Sequence, residues 1–473
     1  MTHRSTIDPV DAHRWRATVM GALERGAQFE SLYAIDGGAD PAVRLVLRHE
    51  RKRRLLTAVA QNGHLDTIVD LLPAAQWDER EAHDLYGVHF DGHDPLRALV
   101  AHPDDPAAWV TPVTGPDVHQ VAVGPIHAGV IESGHFRFHV VGERVLHLDV
   151  RLFYKHRGLE RAAEGLLLTD GVAVAQRACA ACAVTNSVAY AQAAESALGL
   201  APDEDLRRQR TLLLELERLY NHLHDLSALC AGIGFDPGAM TFLALKERAQ
   251  RINERLGGHR FLFGTVRVGD GIGALDAQVA ADARAEVEVI ADEAATAWRT
   301  LNFMASAQDR FAGVGVLARA DAELWGAVGP AARASGVHRD ARTDADDLLW
   351  YPGLQPARPE APTGDVAARS QVRAAELQQT RRLLDDLLTT PPGPGSTTQA
   401  RDPAPTGTGR VESPRGATVC CVEADTDRIT RLHLRTASYA NWPVLARVVP
   451  GNIVPDFPLI NKSFELCYAC ADR

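Results

Sequence analysis

Two short cysteine pairs are the residues of this chain best suited to chemistry: Cys179-Ala180-Ala181-Cys182 and, far downstream, Cys467-Tyr468-Ala469-Cys470. A C-x-x-C spacing lets two thiolates turn toward one centre, and two such pairs supply four. Four thiolates suit a structural zinc site, an iron–sulfur cluster or a soft, redox-active transition metal, and spacing alone leaves all three open. The pairs do not form the close-set knuckles of a small zinc module. Two unrelated pairs are the weakest reading, because an exposed free C-x-x-C invites oxidation. The chain is read as built to bring the two pairs together.

The bulk properties bound the setting. With 473 residues and 46% apolar side chains, the chain can bury two or three cores. A net charge of −11 argues against a nucleic-acid partner, which would want a basic surface. No run is long and apolar enough for a transmembrane helix, and Met1–Ser5 lacks the apolar core of a signal peptide. A cytoplasmic protein is therefore expected, and seven cysteines in a reducing compartment point to metal or redox chemistry rather than a disulfide framework.

The elements that must position the cysteines read as an α+β chain. Residues 1–100 look like a small α+β domain. It has a helix over His13–Arg25, strands at Ser31–Asp36, Val43–His49 and Arg54–Gln61, and turns at Gly37-Gly38 and Asn62-Gly63. Trp77–His93 is dense in charge and aromatics, as a charged helix and loop or a docking surface. Residues 101–122 read as a linker, and a second domain runs over 123–473. Its expected strands are Val130–Phe138 and Val145–Phe153, followed by a helix to about Leu168. Leu212, Leu216, Leu219, Leu223 and Leu226 recur at helical spacing and give Leu206–Leu229 one apolar seam. Ala239–Leu256, Gln278–Ser306 and Val366–Thr389 are further long helices, so a bundle is expected. Pro391–Gly409 reads as a flexible loop, Thr418–Glu423 and Arg428–Leu434 as a hairpin, and Tyr439–Val449 as a helix.

At this point the motifs resemble a known family. Arg177-Ala178-Cys179-Ala180-Ala181-Cys182 with Cys467-x-x-Cys470 is similar to the cysteine motifs of nickel–iron hydrogenase large subunits. Gly124-Pro-Ile-His127-Ala-Gly-Val-Ile-Glu132-Ser-Gly-His135-Phe-Arg137-Phe resembles the opening of the catalytic domain in the formate-hydrogenlyase-type, energy-converting branch. Glu217–His222, Gly258-His-Arg260, Gly329-Pro330, Arg333–Gly336, Ser413-Pro414-Arg415-Gly416, Tyr439–Pro443 and Gly451-Asn452 also fit it. Trp77–His93 resembles the 30-kDa subunit of respiratory complex I, which that branch carries fused in front, and this favours docking.

The resemblance implies a mainly helical nickel–iron hydrogenase large-subunit-like domain with short β-strands behind the small N-terminal domain. It implies Cys179 and Cys467 as terminal nickel ligands, and Cys182 and Cys470 as thiolates bridging nickel to an iron that carries carbon monoxide and cyanide. It implies Cys467 as first proton acceptor, Glu132 as proton gate, and Pro414 and Arg415 against the centre, with Arg415 held over the open metal position. The implied partners are an iron–sulfur small subunit of the complex I 20-kDa type, a ferredoxin-like iron–sulfur subunit and integral membrane subunits. These would hold the chain at the inner face of the cell membrane. A non-catalytic coupling subunit of a complex-I-like assembly, or a divergent paralogue without hydrogen chemistry, is the alternative.

Several positions depart from the family pattern. Ala180 and Ala181 replace Gly-Ile, Asn186 replaces a histidine, and Glu465-Leu466 replace Asp-Pro, with Glu465 expected to pair with Arg415. Glu160 matches a carboxylate that in relatives binds magnesium with a histidine, but that histidine's place holds Arg473. A Glu160–Arg473 ion pair is therefore expected instead of a bound magnesium. The chain ends where the family's maturation protease cuts, so the mature form is expected.

Overall fold

In the computed structural model, residues 6–49, 52–105, 108–128, 131–343 and 348–473 are described. Val130 of the expected Val130–Phe138 strand, the inner pair 129–130 of the Gly124–Phe138 motif, and Met1–Ser5 thus lie outside the described residues, and the strand itself begins only at His135. By contacts the chain forms two compact units. One comprises the residues up to 157 with 323–326 and 472; the other comprises 158–322, 327–471 and 473.

The first unit is α+β. Strands Gln28–Ile35, Ala42–His49 and Lys52–Val59 pair antiparallel, and Thr6–Pro9 joins the far edge parallel to Lys52–Val59. The β-branched and leucine residues Val43, Leu45, Leu47 and Leu56 of this sheet bury against Trp15 and Val19 of the helix Trp15–Glu24. The charged run becomes the helix Gln76–Tyr86, stopped by Gly87 in the left-handed conformation. Two of its acids bond within their own unit. Glu79 accepts from Ile68 N at 2.8 Å and Thr67 Oγ1 at 2.6 Å, and Asp84 accepts from three successive amides, Leu99, Val100 and Ala101. The three-stranded sheet His119–Val123, His135–Val141 and Arg144–Arg151 also lies in this unit.

The second unit is the helix bundle. Its long members are Glu204–Gly232, Asp236–Gly257, Ala277–Phe303 and Val366–Thr389. All five seam leucines of the first are buried in one core, each worth about 1.5–3 kcal/mol relative to exposure. Asp203 and Asp365 cap two of these helices by accepting from Leu206 N and Ala368 N, each worth about 1 kcal/mol.

Three expectations need correction. The helix expected to run to about Leu168 stops after Leu159–Ala162. Beyond it the chain bonds sideways to a strand instead: Gly165 N and Leu168 N donate to Ile429 O and Asp427 O, each at 2.8 Å. The helix expected to reach Ser306 breaks at Met304, whose backbone is extended, and restarts as Ala305–Phe311. Residues 406–409 are not loop but the start of a buried strand, Thr406–Ser413, paired with Gly416–Asp425, which pairs in turn with Arg428–Arg435. The glycines that read as loop are what lets this strand approach the helix Ala183–Leu198. A Cβ on Gly407 would stand 1.9 Å from Ala193 O, and one on Gly409 2.0 Å from Ala189 O.

Candidate metal centre

The second unit brings the two cysteine pairs together. Cys179 lies extended between two single 3₁₀ turns, and Cys182 immediately precedes the helix Ala183–Leu198. Cys467 caps the short helix Tyr468–Asp472, its sulfur accepting from Cys470 N at 3.3 Å. Ser438 Oγ accepts from Cys467 N at 3.0 Å, and Thr436 Oγ1 donates to Cys470 O at 2.9 Å. The Cys179 and Cys467 sulfurs are 3.2 Å apart, and those of Cys179, Cys467 and Cys470 all lie within 4.8 Å of one another. Cys182 joins the same cluster, and all but Cys467 are buried.

The electrostatics of the cluster are set first by its own sulfurs. Hydrogen bonds from the Cys182, Cys467 and Cys470 thiols hold Cys179 well below the usual thiol range, while hydrogen bonding to Cys179 pushes Cys182 and Cys470 well above it. In the chain alone, Cys182 and Cys470 are thus held toward the thiol form. A soft cation among the sulfurs would reverse that, so the donor set fits a thiolate-bound metal. Asn186, one helical turn beyond Cys182, is fully buried, and neither its amide oxygen nor its nitrogen has a hydrogen-bond partner among the described residues. A buried amide left so costs about 1–3 kcal/mol, which a polar group carried by a bound metal would offset.

One helix face supports both the first cysteine arm and the arginine. Along Glu204–Gly232, residues Glu217, Asn221 and Asp225 are spaced four apart and so line up on one side. Glu217 accepts from Val184 N at 2.7 Å and Thr185 N at 3.2 Å, capping the helix that Cys182 opens. Burial raises this carboxyl to about 7 against the pull of those donors. Asn221 Nδ2 and Tyr220 Oη both donate to Ala181 O, at 2.8 and 3.0 Å. Asn221 Oδ1 accepts from Arg415 Nη1, and Asp225 Oδ1 accepts from Arg415 Nη2 at 3.2 Å. Burial resists ionisation of Asp225, but Arg415, His222 and Arg373 outweigh it and hold the carboxyl well below its ordinary range.

Arg415 sits in the tight turn after Ser413-Pro414, both buried. Two glycines allow that turn: a Cβ on Gly329 would lie 2.1 Å from Arg415 O, and one on Gly416 2.6 Å from Gly329 N. The expected pairing with the Glu465 carboxylate takes another form. Arg415 Nε donates to the backbone carbonyl of Glu465 at 3.0 Å, and the carboxylate that receives the guanidinium is Asp225. Burial lifts the Glu465 carboxyl to about 7, aided by the nearby Asp225 charge. Asp225 also accepts from Arg373 Nε at 3.0 Å, and Arg373 Nη2 donates to Phe464 O at 3.1 Å. Asn221, Asp225 and Arg373 were not singled out as site residues. Polar residues at four-residue spacing inside the leucine seam were the available signal.

The Glu160–Arg473 ion pair is present at 2.8 Å, and Arg473 Nη1 also donates to Leu434 O at 2.8 Å. Arg431 holds the other oxygen at 2.8 Å and Leu434 N donates at 2.8 Å. Burial opposes the charge on Glu160, but Arg473, Arg431 and His433 hold it well below the ordinary carboxylate range. The carboxylate thus meets two guanidinium groups and a backbone amide of its own chain.

Glu132 lies half-buried in the first unit, close enough to Asp472 for its charge to add to the burial that raises the Asp472 carboxyl. Phe153 N and Lys155 N donate to Asp472 at 2.8 and 2.9 Å.

Comparison with known proteins agrees with this architecture. The family described as respiratory-chain NADH dehydrogenase, 49 Kd subunit, matches residues 233–402 and 395–473, and that described as its 30 Kd subunit matches 9–113. Formate hydrogenlyase subunit 5 of Escherichia coli K12 is 32% identical over 88% of this chain and 78% of its own length. Hydrogenase-4 component G of the same organism is 31% identical over 88% and 77%. The solved structure of the membrane-bound sulfane sulfur reductase, an archaeal respiratory membrane complex, contains a chain that superposes with a TM-score of 0.70. Its identity is 26%, over 76% of this chain and 99% of that one. The fold and the matches define a large subunit of the oxidoreductase class shared by complex I and hydrogenases. Within that class the chain belongs to the family of nickel–iron-hydrogenase-type large subunits fused to a 30-kDa-like domain.

Proposed function

We propose that the chain is the catalytic subunit of an energy-converting nickel–iron hydrogenase. The observation that carries this reading is the gathering of four cysteine sulfurs in one buried cluster beside a fixed guanidinium. Cys179, Cys182, Cys467 and Cys470 would hold a nickel–iron centre whose iron carries carbon monoxide and cyanide. When bound, that centre supplies reversible heterolytic cleavage or formation of hydrogen.

The chain's own residues provide the rest. Arg415, held by Asn221, Asp225 and Glu465 O, presents a positive charge that cannot drift, and preorganised charge of this kind is worth about 10²–10³ in rate. Cys467, the one cysteine of the four that is not buried, takes the proton first, and Glu132 is the next acceptor on the strength of its matched motif. Three of the four sulfur-bearing residues are buried.

Among the described residues no other cysteine group that could hold a cluster is found, so electrons pass to an iron–sulfur small subunit of the 20-kDa type, and onward to a ferredoxin-like subunit. No described helix is long and apolar enough to cross a membrane. Attachment to the inner face of the membrane would therefore run through integral partner subunits. Arg473 in place of a histidine makes magnesium near Glu160 unnecessary.

Metal analysis with infrared spectroscopy tests the reading. Equal nickel and iron with carbon monoxide and cyanide stretches support it. Zinc alone, or no metal after expression with the maturation machinery, favours the non-catalytic coupling subunit.

A further inference from the structure

The charged segment of the first unit and the strand beside it gather three polar side chains at the surface. Glu79 takes His93 Nδ1 at 2.8 Å, Asp84 takes three amides, and His83 Nδ1 lies 2.9 Å from Val88 O. His64, His89 and Asp91 are instead exposed and face one another.

The backbone explains why they meet. Strands His64–Asp66 and His89–Asp91 pair in parallel, with His64 opposite His89 and Asp66 opposite Asp91. Residues two apart on a strand share a face, so His64, Asp66, His89 and Asp91 form a two-by-two patch on one side of this short sheet. The register is pinned from both ends. Asn62 and Gly63 take the left-handed conformation to make the turn into the first strand, Gly87 takes it before the second, and His89 N donates to Gly63 O at 2.7 Å.

Within the patch, His64 Nδ1 is 3.0 Å from Asp91 Oδ1, His89 Nε2 is 3.7 Å from the same oxygen, and the two rings are 4.8 Å apart. One ligand atom from each of the three lies within 4.8 Å of the others. Ligands about 2.0–2.2 Å from a tetrahedral zinc stand about 3.3 Å from each other, so small side-chain rotations suffice. The two carboxylates placed opposite each other in register repel, and a cation removes that cost.

We propose that His64, His89 and Asp91 form a second metal site, on the face of the 30-kDa-like domain, for a borderline divalent transition ion such as zinc. Two imidazoles and a carboxylate are the donor set such ions prefer over magnesium or calcium. Three protein ligands leave a further coordination position for Asp66 or solvent. The site shares no residue with the four-thiolate centre and does not depend on its occupancy.

The test uses the full chain, titrated with zinc by equilibrium dialysis and with cobalt(II) by absorption spectroscopy. Cobalt at the cysteines gives intense sulfur-to-metal charge-transfer bands, whereas cobalt on imidazole and carboxylate gives only weak ligand-field bands. The wild type should bind one equivalent with the second signature. The double substitution His64→Ala/His89→Ala should lose that equivalent and leave the thiolate signal unchanged, and Asp91→Asn should weaken it at least tenfold. Equal zinc counts and affinities in all three proteins would overturn the proposal. So would a wild-type cobalt spectrum of sulfur type alone, which settles the matter even if the double variant does not fold.

Discussion

The cysteine cluster and the Glu160 pocket lie in the same unit and handle negative charge in opposite ways. Around Glu160 the chain supplies its own cations: Arg473 and Arg431 each at 2.8 Å, with His433 at 3.5 Å and a backbone amide. Around the sulfurs the hydrogen-bond partners described are mainly other sulfurs, and the Arg415 guanidinium beside them is shared between Asn221, Asp225 and a carbonyl. A buried anion must be neutralised by something. Where the protein does this itself, a metal has no task; where it does not, the site is completed from outside. The proposed metal centre and the Glu160 ion pair thus differ in where their counter-charge comes from.

Breaking each side of this contrast gives different readouts. The largest effect is expected from Cys470→Ser, which removes a thiolate that the chain does not replace. Nickel content and hydrogen turnover should both fall to background, and turnover that survives would remove Cys470 from the ligand set. Next comes Arg415→Lys. A single ammonium cannot serve Asn221, Asp225 and the Glu465 carbonyl together, so turnover should fall by about 10²–10³ while nickel and iron stay in equal amounts. Metal loss would mean that Arg415 holds the centre rather than acts beside it.

On the other side of the contrast, Arg473→Ala leaves Glu160 with Arg431 as its close cation. Denaturant unfolding should show a loss of at most about 3–5 kcal/mol. Glu160 has a depressed native pKa, so its stabilisation is complete above the unfolded carboxyl value of about 4.3 and is lost as pH falls through the native value. The gap between wild type and variant should therefore hold from neutral pH to about 4 and close in stronger acid. Arg473→His should recover part of the loss only when magnesium is added, which would show that the arginine stands in for the ion. The smallest effect is expected from Gly409→Ala, which presses a methyl against Ala189 O; thermal unfolding should register about 1–3 kcal/mol.

The legible and illegible parts of this chain differ for physical reasons. The long helices could be read because a leucine seam repeats at the helical period, and Val366–Thr389 was placed to the residue. The cysteine pairs could be read because thiols at fixed spacing have few other uses. Thr406–Gly409 was missed because glycine is the residue of loops and also the residue of close approach, and only the neighbouring helix distinguishes the two. Asn221 and Asp225 were missed because a polar residue on a helix ordinarily faces water, whereas here a second polar element waits inside. The Glu465 contact was placed on the right residue but the wrong atom. Side-chain chemistry is visible in a sequence, whereas a backbone carbonyl is offered by every residue alike.

The 29-residue helix Glu204–Gly232 carries Glu217, Asn221 and Asp225 on one rigid rod. The first two of these grip the Cys182 arm, and the last two hold Arg415. Any tilt or slide of the rod moves arm and arginine together, so their mutual spacing is insulated from breathing elsewhere in the bundle. Thermal motion then enters the site as a shared displacement rather than a relative one. For chemistry that depends on fractions of an ångström, such common-mode motion costs far less than independent motion of the same amplitude.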